Sequence, residues 1–157
     1  MASCIIKSPL GFTKINGDTH GISSITLLNS EEKETSNIPK ELKDCVFQLK
    51  AYFKGTQKQF HLKLNPKGSD FQKKVWKQLE QIPYGKTLSY LELSKQLNTP
   101  KAIRAVANAN SKNPLLIVVP CHRVIGSNGS LTGYAAGLHI KKWLLKHETP
   151  CKQQVLF

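Results

Sequence analysis

Apolar and polar residues alternate in short runs over the first third of the chain. A period of two residues is typical of half-buried β-strands, and it predicts strands at residues 5–6, 12–15 and 22–28. Turns are predicted at residues 9–11, which read Pro-Leu-Gly, and at residues 16–18, which read Asn-Gly-Asp. The pattern therefore predicts a small sheet at the start of the chain.

A helical period replaces the alternation after Pro39. Apolar residues then recur at i, i+3, i+4 and i+7, which predicts one helix that ends at Gly55. The residues on its apolar face are Leu42, Cys45, Val46, Leu49, Tyr52 and Phe53. Cys45 is accordingly predicted to be a core thiol. Residues 60–64 alternate again and predict one further strand.

A domain boundary is predicted at residues 65–68, because Asn-Pro-Lys-Gly favours a loop and helical patterns follow it. We therefore expect an N-terminal α+β domain at residues 1–66, a helical domain at residues 67–150 and a tail at residues 151–157. The fold class predicted for the whole chain is α/β, of the α+β type.

Two capping boxes and a Thr-Pro pair predict helix starts in the second domain. Ser-x-x-Gln at residues 69–72 and Ser-x-x-Glu at residues 89–92 match the capping box. Thr99 is predicted to be an N-cap, with Pro100 at the first position of a helix that runs to about residue 110. Two short helices joined by a tight turn are the outline of a helix-turn-helix.

The distribution of charge favours a polyanionic partner. The chain has a net charge of +13 and a sequence pI of about 9.7, which fits nucleic acid binding but also a lysine-rich solubilising surface. After Glu92 the one acidic residue is Glu148, whereas nine Lys or Arg residues lie in the same stretch. Arg104, one of only two arginines among 23 basic residues, lies among alanines in the third helix predicted for the second domain. DNA contact is favoured there over simple tight packing of that helix.

Several classes of protein are disfavoured by the sequence. Every apolar run is shorter than the roughly 18 to 20 residues that span a bilayer, and the N-terminus is charged too soon for a signal peptide. We therefore expect an intracellular protein without membrane contact, cytoplasmic in a prokaryote and nuclear in a eukaryote. The widely spaced cysteines favour free thiols over disulfides or a zinc site; they are Cys4, Cys45, Cys121 and Cys151.

Candidate chemistry is concentrated where an apolar run breaks at Pro120 and Cys121, His122 and Arg123 follow. A nucleophilic cysteine needs a rigid mount, a base or positive charge that favours the thiolate, and access for the substrate. The order of these residues supplies the first two. Consecutive side chains often point apart, so we expect His122 to act on Cys121 through a bridging water.

A carboxylate that orients His122 has one candidate in the last part of the chain. A final helix is predicted at residues 138–147, with these apolar residues facing the core: Leu138, Trp143, Leu144 and Leu145. Glu148 follows at its end, where the helix dipole disfavours a negative charge. Glu148 is therefore either an exposed helix-end residue or the partner that fixes the tautomer of His122.

The motif Pro120-Cys121-His122-Arg123-Val124 resembles the active-site motif of the O6-alkylguanine-DNA alkyltransferases. Further similarities in order and spacing extend over about residues 71–148; they are Phe71 to Trp76, Ile82-Pro83-Tyr84-Gly85, Ser89-Tyr90, Arg104-Ala105-Val106, Asn113-Pro114, Gly137-Leu138, Trp143-Leu144-Leu145 and His147-Glu148. The first third of the chain is similar in outline only. The resemblance implies a ribonuclease-H-like N-terminal domain, a small antiparallel sheet with a helix, followed by a helical winged-helix or helix-turn-helix domain.

The family resemblance also implies a function. A monomeric DNA repair protein, without cofactor or metal, would bind double-stranded DNA through the minor groove and flip a damaged base into a pocket. Cys121 would take the alkyl group from O6-alkylguanine, and also from O4-alkylthymine, and keep it irreversibly. Each molecule would then react once.

Roles for individual residues follow from the same resemblance. The catalytic residues would be Cys121, His122, Glu148, Asn113 and Tyr90. The residues at the DNA would be Arg104, Tyr90, Lys101, Ala105 and Ser111, with Arg104 filling the gap that the flipped base leaves in the stack. The residues of the base pocket would be Val124, Tyr134 and Ala135. Some relatives carry a serine at the position of Ala135, so any hydroxyl contribution there is lost.

Two other functions stay open on the sequence alone. One is a helix-turn-helix binding module that recognises lesions or regulates transcription, with Cys121 as a buried structural thiol. The other is a cysteine hydrolase whose base comes from elsewhere in the chain, for which His139 and His147 are the remaining C-terminal candidates. Transfer of a labelled alkyl group to the protein distinguishes DNA alkyl transfer from both of these alternatives.

Overall fold

The computed structural model describes residues 1–129, 134 and 136–149. Its regular elements are, in chain order, β1 (Ala2–Ser8), β2 (Gly11–Asp18), β3 (Gly21–Leu27), α1 (Lys43–Lys54), α2 (Asp70–Leu79), β4 (Leu88–Ser89), α3 (Tyr90–Gln96), α4 (Ile103–Ser111), β5 (Val124–Ile125) and α5 (Leu138–Glu148). Single turns of 3-10 helix, Lys40–Leu42 and Cys121–Arg123, precede α1 and β5. This order of strands and helices confirms the predicted α+β fold.

The N-terminal sheet is antiparallel, with the strand order β1-β2-β3. Its register places Cys4 opposite Ile15 and Ile15 opposite Ile25, so that alternate residues of all three strands share one face. These residues are buried, and α1 packs against β1 with Cys45 at 0% exposure. Burial raises the pKa of the Cys45 thiol to about 12, which confirms it as an unreactive core residue.

The predicted turn at residues 16–18 is wrong. The second strand continues to Asp18, and its register with β3 shifts between Asn16 and Gly17 in the manner of a β-bulge. A Cβ atom at Gly17 would lie 2.9 Å from the carbonyl oxygen of Gly21, so glycine permits the close approach of the two strands. The chain turns at residues 19–20 instead.

The strand predicted at residues 60–64 is also wrong. Leu64 forms an isolated parallel bridge with Ile22, in which the Ile22 amide donates to the Lys63 carbonyl at 2.8 Å. Ile25 forms a second bridge with Leu115, and its amide donates to the Pro114 carbonyl at 2.8 Å. The free edge of β3 therefore holds two distant segments by a few hydrogen bonds, and one of them leads directly to Cys121.

The helix-turn-helix is formed by α3 and α4, and α4 also packs against α2. Both predicted capping boxes are present, at Ser69 and at Ser89. The predicted Thr99 cap is wrong, because the Thr99 carbonyl accepts a turn hydrogen bond from Ala102 at 2.9 Å and α4 begins only at Ile103. The turn is longer than predicted. Helix α3 ends at Gln96, and Asn98 just beyond it adopts a left-handed backbone conformation with φ 59°.

The last helix, α5, buries only part of the face that its apolar residues predicted: Leu144 is fully buried and Trp143 packs against the core. Leu138 is 50% exposed, which contradicts its assignment to the core. The buried residues of the helix are Ile140, Lys141, Leu144 and Glu148. Two charged residues thus replace apolar ones on the buried face, and a hydrophobic pattern is unable to predict that. Among the helices of the described residues, none is long and apolar enough to cross a membrane.

Candidate active site

Cys121 lies on a rigid mount at the end of the apolar segment. Its backbone amide donates to the Val119 carbonyl at 2.8 Å, and the Arg123 amide donates to the Pro120 carbonyl at 3.0 Å. Ile117 adopts a left-handed backbone conformation with φ 73°, which costs a β-branched residue on the order of 1–3 kcal/mol. The surrounding packing holds this strained segment, in which Ile117 is 2% exposed.

Asn113 ties this segment to the thiol. Its amide nitrogen donates to the Val119 carbonyl at 2.8 Å and to the Cys121 sulfur at 3.1 Å. Its amide oxygen accepts from the Leu115 backbone amide at 2.9 Å. The Asn113 side chain therefore braces the loop before Cys121, and its N–H favours a thiolate at Cys121.

The thiol is protonated in the resting protein. Burial raises the pKa of Cys121 to about 11, and the Asn113 hydrogen bond and the positive charge of Lys141 offset only part of that effect. A thiol with this pKa is a poor nucleophile at neutral pH, so the site needs a base.

Glu148 is the centre of a buried polar cluster and not an exposed helix end. It is 2% exposed, and its Oε2 atom accepts hydrogen bonds from His122 Nε2 at 2.8 Å and from Tyr52 Oη at 2.6 Å. Arg123 binds both carboxylate oxygens, with Nε 2.8 Å from Oε1 and Nη2 3.0 Å from Oε2. Burial favours the neutral acid, but the hydrogen bonds from His122 and Arg123 and the positive charge of Arg123 outweigh it and lower the pKa of Glu148 to about 2.

His122 is held as a neutral imidazole. Burial lowers the pKa of His122 although Glu148 acts in the opposite direction, so the ring is uncharged at neutral pH. An ionised Glu148 only accepts hydrogen bonds, and Nε2 of His122 must therefore carry the proton. His122 Nδ1 is then the basic atom; it is buried and has no hydrogen-bond partner among the described residues. The relay from Cys121 through a water stays a prediction.

Lys141 and two aromatic residues surround the thiol. Lys141 is 0% exposed, and burial lowers its pKa to about 8 although the Cys121 thiolate would raise it. Its ammonium lies 5.8 Å from the ring centroid of Tyr90, the first residue of α3. Tyr134 is 8% exposed and close enough to Cys121 for the thiolate to raise its pKa, after the larger effect of burial.

Strand pairing brings Tyr90 and Val124 to the same place. Leu88 pairs with Val124 and Ser89 with Ile125 in a two-stranded parallel sheet. Tyr90 follows Ser89 and starts α3, so this pairing sets Tyr90 beside the strand that follows the Cys121–Arg123 turn. Val124 is fully buried, and its role as a wall of the base pocket stays a prediction. Ala135, the remaining predicted pocket residue, lies outside the described residues.

The predicted DNA-contact residues lie mainly on one face of the helix-turn-helix. Lys101, Arg104 and Ala105 are exposed, whereas Val106 and Ala109 face the core. Ser111 is half-buried at the end of α4, and its hydroxyl donates to the Asn108 carbonyl at 2.7 Å. Helix α4 thus has an exposed face, which carries the basic residue Arg104, and a buried face, which carries Val106 and Ala109.

Known proteins resemble this chain along nearly its whole length. Residues 2–66 match the family described as 6-O-methylguanine DNA methyltransferase, ribonuclease-like domain, and residues 70–150 match 6-O-methylguanine DNA methyltransferase, DNA binding domain. The chain belongs to the 6-O-methylguanine DNA methyltransferase family. This confirms the resemblance stated from the sequence motifs, while the domain boundary at residue 66 stays a prediction.

Individual members of the 6-O-methylguanine DNA methyltransferase family are similar over most of their length. The methylated-DNA–protein-cysteine methyltransferase of Methanosarcina acetivorans is 46% identical over 156 residues, 96% of this chain and 100% of the relative. The constitutive enzyme of that name from Bacillus subtilis is 50% identical over 124 residues, 78% of this chain and 73% of the relative. The crystal structure of Mycobacterium tuberculosis OGT in complex with DNA has 39% identity and a TM-score of 0.85, and each chain is covered to 100%.

Two residues of the site, Lys141 and Tyr52, were not predicted from the sequence. Arg123 was named there with the candidate chemistry, but without its carboxylate partner. Helical spacing places Lys141 on the face of Leu144 and Glu148, three and seven residues later, which was a usable signal. Tyr52 was assigned to the core face of the first helix as an apolar residue, and nothing in the sequence indicates a partner 96 residues away.

The pKa of Glu148 gives the folded protein a specific sensitivity to acid. A glutamate titrates near ~4.3 in an unfolded chain, against about 2 in the fold. A depressed pKa stabilises the fold above the unfolded value, and this contribution is lost as the pH falls from about 4.5 toward 2. We expect Glu148→Gln to flatten the dependence of the unfolding free energy on pH between 5 and 3.5, as measured by urea denaturation.

The same variant should be less stable at pH 7, by roughly 3 kcal/mol, because Arg123 keeps a buried charge without its carboxylate. Glu31→Gln, an exposed substitution, is the control and should retain the wild-type curve. A Glu148→Gln curve with the wild-type slope would contradict a buried, ionised Glu148.

Proposed function

We propose that this chain repairs O6-alkylguanine in double-stranded DNA by moving the alkyl group to Cys121. The observation that carries the proposal is the assembly of a protonated, buried thiol with a neutral histidine, whose proton on Nε2 is fixed by a buried carboxylate. Such an arrangement creates a nucleophile only when a base removes the thiol proton. It suits one transfer to an atom placed against the sulfur.

The reaction is a displacement at the alkyl carbon. His122 takes the thiol proton through a water, and the Cys121 sulfur forms a bond to carbon as the bond from that carbon to guanine O6 breaks. The electron pair of the broken bond stays on the base, where the Tyr90 hydroxyl donates a hydrogen bond as negative charge develops. The product is an S-alkylcysteine, which has no thiol proton left to lose, so the site works once. In O4-alkylthymine the alkyl group is bound to an equivalent base oxygen, O4 of thymine, and this base is the second substrate.

Delivery of the base is assigned to the helix-turn-helix. The exposed face of α4 carries Arg104, whereas Val106 and Ala109 of the same helix are buried. Arg104 would enter the stack of the duplex when the damaged base leaves it, with Lys101 on the phosphates and Ala105 permitting close approach. Ser111 would contact the DNA at the other end of the helix, and Val124, Tyr134 and Ala135 would line the base pocket.

The alternative of a cysteine hydrolase lacks a suitable base. His139 is exposed at the start of α5. The His147 ring donates from Nε2 to the Tyr52 carbonyl at 2.8 Å and stacks on Trp143 at 4.9 Å between ring centroids. Within the described part of the chain, neither histidine hydrogen-bonds to Cys121 and neither has a carboxylate that fixes its tautomer, as Glu148 does for His122.

The first test follows the alkyl group. Wild-type protein incubated with a duplex oligonucleotide labelled on the O6-methyl group should acquire about one equivalent of label and then stop. Cys121→Ser should acquire none, because a serine hydroxyl is a much weaker acid and a much weaker nucleophile toward an alkyl carbon than a cysteine thiol. Cys45→Ser, at the core thiol, is the control for non-specific labelling. Tight binding of the lesion without transfer would overturn the proposal in favour of a binding module.

The second test separates base delivery from chemistry. We expect Arg104→Ala to slow repair of duplex DNA about tenfold or more, while reaction with the free modified base changes less than about twofold. The reason is that the free base needs no flipping. Lys50→Ala removes an exposed cation from α1 and serves as control. Equal losses on both substrates would contradict the role of Arg104 in the stack.

A further inference from the structure

The N-terminal domain contributes one side chain to the polar cluster behind Cys121. Tyr52 lies near the end of α1, is 0% exposed, and donates its hydroxyl proton to Glu148 Oε2 at 2.6 Å. The same oxygen accepts from His122 Nε2 at 2.8 Å. One carboxylate atom therefore joins the phenol of the first domain to the base of the second.

The Tyr52 ring is held so that its hydroxyl has little freedom. Its neighbours are aromatic on several sides, with centroid distances of 5.4, 5.6, 6.2 and 5.1 Å to Phe53, Phe60, Tyr84 and His147. The backbone carbonyl of Tyr52 also accepts a hydrogen bond from the His147 ring at 2.8 Å. Because His147 precedes Glu148, the end of α1 and the end of α5 are fastened at adjacent residues.

A phenol at this position acts differently from a second cation. Burial, and then the charge of Glu148, raise the pKa of Tyr52, so the hydroxyl stays a neutral donor throughout the working range of pH. It disperses the carboxylate charge without adding a positive one. A carboxylate that is partly neutralised in this way attracts the second proton of an imidazolium less strongly. The hydroxyl thus keeps His122 neutral to lower pH, while its hydrogen bond holds the carboxylate in the position that orients the ring.

We propose that Tyr52 is a positioning residue for alkyl transfer, which fixes the Glu148 carboxylate against His122 and sets how readily His122 accepts the thiol proton. This inference rests on the proposed function. It gives the ribonuclease-like domain a part in the chemistry, through one hydroxyl, in addition to any part in stability. The other charged groups that act on His122 are Arg123 and Lys141, both of which disfavour its protonation and stay in place in the variant below.

Tyr52→Phe removes the hydroxyl and keeps the ring packing, and it leaves Glu148 with His122 and Arg123 as donors, so we expect it to fold. The rate constant for alkyl transfer should fall about three- to twentyfold at pH 7, equally on duplex DNA and on the free modified base, because the carboxylate that orients His122 loses one of the donors that hold it in place. DNA affinity should stay unchanged. Tyr84→Phe is the matched control, since its hydroxyl lies in the same aromatic cluster but is directed to the His147 carbonyl at 3.5 Å.

The pH profile provides the readout that packing alone would not move. Without the phenol, the Glu148 carboxylate stabilises the protonated form of His122 more strongly, so the pKa of His122 rises. The acid limb of the profile of rate against pH then moves to higher pH by roughly 0.5 unit. In a Glu148→Gln background the further change Tyr52→Phe should leave both rate and profile unaltered, because the carboxylate through which Tyr52 acts is gone.

An unchanged rate in Tyr52→Phe would overturn the inference. The inference would also be overturned if the rate fell only in proportion to the amount of folded protein, while the acid limb of the pH profile stayed at its wild-type pH. Neither result affects the proposed function, which fails only if the wild-type protein takes up no label.

Discussion

A buried carboxylate with three partners organises the catalytic half of this protein. Glu148 loses its hydration at the end of α5, where the helix dipole also opposes its charge. Among the described residues, the contacts of His122 and Arg123 keep it ionised, and Tyr52 donates a further hydrogen bond. Buried ion pairs of this kind commonly add little to net stability, because desolvation offsets the attraction. Their effect here is positional: the carboxylate fixes which nitrogen of His122 carries the proton.

The thiol depends on a second constraint, which is mechanical. The segment before Cys121 is attached to the edge of β3 at Leu115 and contains the strained residue Ile117. Asn113 spans the resulting loop and reaches the sulfur itself. A rigid mount places the sulfur at a defined point, while burial keeps it protonated until a base acts. Protection and activation of the cysteine therefore come from the same packing.

Much of the fold and part of the site could be predicted from the sequence. Local signals, such as the capping boxes at Ser69 and Ser89 and the period of the first helix, are set by short-range physics and are reproduced in the structure. The failures involve long-range effects. The bulge at Gly17 depends on a neighbouring strand, the segment at residues 60–64 has only the edge of β3 to pair with, and Lys141 is buried through its contacts with other elements. The role of Tyr52 was missed because its position on the apolar face of a helix gives no indication that its hydroxyl binds Glu148, far away in the sequence.

The charge state and tautomer of His122 test this account most directly. In protein labelled with 15N in its histidine rings, the nitrogen chemical shifts of His122, assigned by comparison with a His122→Gln variant, report the proton on each ring nitrogen. The account predicts a neutral ring at pH 7, with the proton on Nε2 and a free lone pair on Nδ1. An imidazolium at pH 7, or a neutral ring with its proton on Nδ1, would contradict the account of how Glu148 prepares the base.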